Sequence, residues 1–166
     1  VIMGRPPHGR DLIADAFMEN PLVLIAPPEH ELVGQKCIPL QRLARETFVV
    51  REPGSGTFIA MERFFKEHGV EFSAGMEMTS NQAIKHAVEA GLGLGIVSIH
   101  TLELELEAGR LIIMDVEDFP ILRHWYVVHR KGKRLSPVAE AFKEFVLSEA
   151  PSLISASGYI QTTQNI

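Results

Sequence analysis

The chain has 166 residues, 46% of them hydrophobic and 22% charged, with a formal net charge of −5. That is the composition of a globular protein of one domain or two small lobes. The acidic balance excludes a broad basic face for gripping nucleic acid, and no apolar run approaches the ~20 residues that a membrane span requires. Cys37 is the single cysteine, so there is no internal disulfide, and this usage agrees with a reducing compartment.

Val1 to Met3 reads as the end of a buried strand with no initiator or signal peptide before it, as in a piece of a longer protein cut inside a domain. Gly4 to Arg10 is a Pro/Gly loop carrying Arg5, His8 and Arg10. Asp11 to Asn20 gives no clear period. Leu22 to Ala26 is an apolar strand closed by Pro27-Pro28, Glu29 to Lys36 a polar connection, and Ile38 to Arg45 a short helix.

Thr47 to Val50 is a β-branched and aromatic run and reads as a buried strand, the one around which the chain is organised. In Arg51 to Thr57, Pro53 fixes one φ while Gly54 and Gly56 permit φ > 0. The spacing then predicts a helix over 58–68, with Met61, Phe64 and Phe65 on one face and Gly69 as terminator. Phe72 to Met78 alternates as a strand. Thr79-Ser80-Asn81 is a cluster of N-cap residues before a helix with Ala83, Ile84, Ala87 and Val88 as its stripe, ended by Gly91.

Leu92 to Ile99 is a buried strand whose two glycines imply close backbone approach. Thr101 to Gly109 alternates Leu with Glu, a strand pattern, but its good helix formers and Gly109 favour a short helix. Leu111 to Val116 is a strand, Glu117 to Pro120 a turn, and Arg123 to Arg130 a further strand. Ser136-Pro137 opens the last helix, which Pro151 is expected to stop, and 152–166 is a loosely held tail. Strands alternating with helices imply an α/β fold whose sheet is parallel or mixed and covered on both faces.

Catalysis finds no constellation. Ser55 lacks the Gly-x-Ser-x-Gly spacing of a nucleophile elbow, no Lys follows Gly56 as in a Walker loop, and Cys37 has no activating neighbour and reads as a structural thiol. The seven histidines form no metal-ligand spacing, and Arg130 to Arg134 is a solvated turn. No enzyme, metal or cofactor is expected. Binding is better served. Strand, Gly-rich turn and helix start aim free backbone N–H groups at one point, with the positive end of the helix dipole behind them. Gly54, Ser55, Gly56 and Thr57 form one such start, and Thr79, Ser80 and Asn81 a second; Ser98 and His100 end a neighbouring strand, and Arg5 could add a charge-assisted pair to a small anion. The plainer alternative at the Gly54 to Thr57 start is a capped helix after a tight turn.

An ordered set of strings resembles the effector-binding domain of LysR-type transcriptional regulators. It comprises Pro27-Pro28-Glu29-His30, Ile38-Pro39-Leu40, Gly54-Ser55-Gly56-Thr57, Ser80-Asn81, Ala90-Gly91-Leu92-Gly93-Leu94-Gly95-Ile96 and Leu135-Ser136-Pro137. Met3-Gly4-Arg5-Pro6-Pro7, Arg51-Glu52-Pro53 and Gly75-Met76-Glu77-Met78 resemble the branch that regulates the Rubisco and Calvin-cycle operon. Ser98-Ile99-His100 departs from the many members that carry Pro after the strand. The resemblance implies a two-lobe fold like a type II periplasmic binding protein with two crossover strands. Lobe I would be 1–50, partial, with a return over 123–150; lobe II would be 51–122, and 151–166 a tail. It also implies a cytoplasmic, homodimeric or homotetrameric regulator that touches DNA only through an absent N-terminal winged helix-turn-helix. Its effector would lie between the lobes: a small anion, either a phosphorylated carbon-cycle metabolite or a nicotinamide nucleotide. A solute-binding protein for transport is the alternative.

Overall fold

A computed structural model describes residues 1–6 and 11–155. His8 and Arg10, and the tail from residue 156 on, lie outside the described residues. The chain forms two compact units, one of Val1–Asn20 with the stretch from Arg123 onward, the other of Pro21–Leu122. Residues 21–50, put in lobe I from the sequence, belong with the second unit, because the strand Leu22–Ala26 is hydrogen-bonded inside that unit's sheet. The strand at 47–50 is therefore a centre of one unit rather than a junction between two.

In the first unit, β1 (Ile2–Met3), β2 (Leu12–Glu19) and β8 (His124–Arg130) form an antiparallel sheet with β8 in the middle. The aperiodic stretch 11–20 is thus a strand, and a register shift between Ala16 and Met18 accounts for its broken alternation. Helix α4 (Pro137–Ser155) packs on β2, with Lys143 Nζ 2.6 Å from Asp15 Oδ2. Pro151 does not stop α4; it lacks the N–H of one rung, and the helix runs on to Ser155.

The second unit has a five-stranded mixed sheet in the order β5-β4-β6-β3-β7. β4 (Thr47–Arg51) runs parallel to β5 (Ser73–Met78) and β6 (Leu94–Ser98), whereas β3 (Leu22–Ala26) is antiparallel to β6 and to the short β7 (Ile112–Ile113). Alternate residues face opposite ways. Leu22, Leu24, Phe48 and Val50 join one core cluster with Phe64 and Phe65 of α1 (Gly56–Glu67). Val23, Ile25 and Val49 join another with Ile84, Ala87 and Val88 of α2 (Asn81–Glu89). Coverage on both faces explains why every residue of β3 is buried and why its sequence is continuously apolar.

The glycines of the 92–99 stretch allow the predicted close approach. A Cβ on Gly95 would lie 2.8 Å from Val88 Cγ2 and 2.9 Å from Ile84 Cγ2, so α2 packs directly on the β6 backbone. Leu102 to Gly109 holds the short helix α3 (Glu103–Glu107), as the helix formers indicated. Its Glu105 is buried with Lys85 of α2, Nζ to Oε1 2.7 Å, and the lysine also donates to the Thr101 carbonyl at 2.6 Å.

Candidate functional site

Because β5, β4 and β6 run parallel, their carboxyl ends leave the sheet along one edge. Beyond β4 the chain makes a turn in which the Ser55 amide donates to the Glu52 carbonyl at 3.1 Å, with Gly54 at φ 91°. Pro53 followed by a positive-φ glycine is the residue order of a type II turn. α1 starts at once, its first turn capped by Ser55 Oγ, which accepts from the Phe58 amide at 3.1 Å. Beyond β5, Ser80 Oγ caps α2 in the same way, accepting from the Ala83 amide at 3.2 Å. Beyond β6 comes the 3-10 turn Ile99–Thr101, anchored by Thr101 Oγ1 donating to the Ser98 carbonyl at 2.8 Å.

The start of α2 is tied to the turn that precedes α1 through Arg51, at the end of β4. Its Nη1 donates to Asn81 Oδ1 at 3.2 Å. Its Nε and Nη2 donate to the two oxygens of Glu52 at 2.7 and 2.8 Å, a forked pair. Chiefly through that hydrogen bond, Glu52 raises the Arg51 guanidinium above its ordinary pKa, and Arg51 holds the Glu52 carboxyl below the usual carboxylate range. Neither helix carries an acidic residue in its first turn, so the positive dipole ends are not neutralised from within. A capping hydroxyl accepts from the helix and keeps its own O–H to donate outward.

Of the sequence candidates, Gly54, Ser55, Gly56, Thr57, Thr79, Ser80, Asn81, Ser98 and His100 all lie along this edge. Thr57 and Ser98 are buried; Thr79 and Ser80 are exposed. Arg5 belongs to the first unit, exposed in a bend. Sequence reasoning missed Arg51 and Glu52 as site residues. The signal was an Arg-Glu pair at the end of a strand, read only as part of a family string. A surface cavity of about 460 Å³ in the second unit lies at the other end of α1, lined by Glu62, Phe65, Lys66 and Phe72 among others. Cys37, expected to be structural, is exposed, with φ 49°. Among the described residues no group of three or more His, Cys, Asp or Glu side chains could hold a metal ion, and no helix is long and apolar enough to cross a membrane.

The LysR substrate binding domain, as a family, matches residues 1–151. The chain belongs to the LysR family. This LysR domain is 62% identical over 150 residues to the RuBisCO operon transcriptional regulator of Allochromatium vinosum, a match covering 90% of this chain and 50% of that protein. It is 45% identical over 147 residues to the RuBisCO operon transcriptional regulator of Acidithiobacillus ferrooxidans, covering 89% and 48%. The chain thus spans about half the length of the curated relatives it matches. Among solved structures, the Synechocystis PCC6803 CcmR regulatory domain in complex with 2-PG is 39% identical with a TM-score of 0.84, covering 90% of this chain and 74% of that one. The effector-binding domain of QuiR in complex with shikimate, 20% identical with a TM-score of 0.78, matches in fold. The LysR domain therefore has the two-lobe, periplasmic-binding-protein-like α/β fold that the sequence resemblance implied.

Proposed function

We propose that this LysR domain senses a small phosphorylated carboxylate and that the intact protein uses it to control transcription of carbon-fixation genes. The observation that carries the reading is the edge that holds two capped helix starts without first-turn acids, where Arg51 at the end of β4 is hydrogen-bonded to Asn81 at the start of α2. Backbone N–H groups and hydroxyl donors held by regular structure favour an anion with little rearrangement. The likeness to a regulatory domain solved in complex with 2-PG, and to regulators of the RuBisCO operon, supports the ligand class and the target genes. Gly54 to Thr57 and Thr79 to Asn81 are the proposed first contacts, with Ser98, His100 and Arg5 as further candidates. DNA is contacted through a part of the protein outside this chain, in a cytoplasmic homo-oligomer.

Calorimetric titration of the intact protein with 2-phosphoglycolate, a sugar bisphosphate and a nicotinamide nucleotide tests this. Binding of a phosphorylated ligand is expected, weakened at least tenfold by Thr57→Ala with Asn81→Ala, a loss of about 1.4 kcal/mol. Unchanged affinity in that double variant would remove the assignment.

A further inference from the structure

Resting on the reading of this edge as an anion site, we propose that Glu52 is a resident counter-anion, seated on Arg51 where the effector's phosphate or carboxylate must go, so that binding is an exchange of one carboxylate for another anion. Adjacent residues in a strand point to opposite faces. Arg51 and Glu52 meet only because the strand ends between them and the chain turns. The result is a two-point fork, the geometry in which a guanidinium grips a free carboxylate or phosphate. Three of the five N–H donors of a guanidinium are thereby engaged, two by Glu52 and one by Asn81.

The two partners are held very differently. Arg51 is 20% exposed and fixed at the end of a central strand, while the Glu52 side chain is 38% exposed. The Glu52 backbone is pinned on both sides, its amide donating to the Met78 carbonyl at 3.1 Å and its own carbonyl accepting from Ser55. Displacing the carboxylate therefore needs only side-chain rotation into water. The turn, the α1 start and the Arg51–Asn81 link all stay in place. Such a counter-anion satisfies the guanidinium when no effector is bound, and it sets a threshold: only an anion that matches the fork and also reaches the helix starts displaces it.

Titration of the intact protein with 2-phosphoglycolate, and separately with inorganic phosphate, tests the exchange in the native protein, Glu52→Gln, Glu52→Ala and Arg51→Met. Removing the competing charge is expected to tighten binding roughly three- to tenfold in both Glu52 variants. Arg51→Met should lose at least tenfold, whether or not Glu52 is also replaced. Equal or weaker binding by both Glu52 variants, with the native protein still binding, overturns the exchange and leaves the anion site standing. Native-like binding by Arg51→Met overturns it as well. If the native protein binds none of the phosphorylated ligands, the anion site itself is refuted and the exchange with it.

Discussion

Replacing Lys85 by Met isolates the buried ion pair that ties α2 to α3. The two side chains are 7% and 4% exposed, Nζ lies 2.7 Å from Glu105 Oε1, and Glu105 Oε2 has no hydrogen-bond partner among the described residues. Removing one partner of such a pair strands a charge in a low-dielectric interior and costs about 3–5 kcal/mol. Removing both, with Lys85→Met and Glu105→Leu, leaves no charge buried but takes the donor from the Thr101 carbonyl and the acceptor from the backbone group bonded to Glu105, so the double variant should lose about 1–3 kcal/mol. Urea unfolding of the intact protein at pH 7, followed by circular dichroism, measures both. A pH series adds a change of sign. In the native chain burial pushes the Glu105 carboxyl up, but the Lys85 hydrogen bond, a backbone hydrogen bond and nearby positive charge outweigh it and leave the pKa lowered. The stabilisation is therefore fully present above the ordinary carboxylate pKa of about 4.3 and is lost as pH falls through the lowered value. Without Lys85, burial is left to dominate and the folded pKa rises, so the variant loses stability as pH climbs through it. The gap between native and single variant should narrow on acidification. A single variant within about 1 kcal/mol of native, or a double variant no better than the single, would refute the reasoning.

Ser55→Ala and Ser80→Ala each remove a helix cap and should lower stability by about 1 kcal/mol in denaturant melts; additive losses in the double are expected if the caps act independently. Gly95→Val drives a branched side chain into Ile84 and Val88 and should destabilise by about 1–3 kcal/mol, read as a lower thermal midpoint; an unchanged midpoint would show that α2 does not sit directly on β6. The Glu52 carboxyl carbon, followed by NMR, should titrate below the ordinary carboxylate range and return to it in Arg51→Met. An ordinary midpoint in the native protein would mean that the fork is not populated in solution.

Both helix starts of the candidate edge were legible because capping is local: Ser55 and Ser80 need only the three residues that follow them. The α3 reading held for the same kind of reason, since helix formers and a terminating Gly109 (φ 62°) outweighed an alternating pattern only one short element long. Sheet membership was not legible. Leu22–Ala26 is apolar at every position, so its pattern carries neither a direction nor a partner, and nothing in it says that residues 21–50 go with the unit that follows. Leu111 to Val116 reads as a full strand, yet only Ile112 and Ile113 form one, at the sheet's edge, while Val116 makes an isolated bridge to Ile38. Arg51 and Glu52 escaped notice because their meeting depends on where the strand stops, and their link to Asn81 spans thirty residues of sequence.

The position of β8 has a consequence for how the chain comes off the ribosome. β1 and β2 are not paired to each other; in this sheet each is paired to β8, which is made more than a hundred residues after them. The whole of Pro21–Leu122 is synthesised in that interval, and its strands find their partners within that stretch. The second unit is therefore free to close early, while the pairing of β1 and β2 with β8 waits for β8 to arrive. A nascent chain stalled a few tens of residues past Leu122 should already protect the β3–β7 sheet from protease and leave β2 open to cutting.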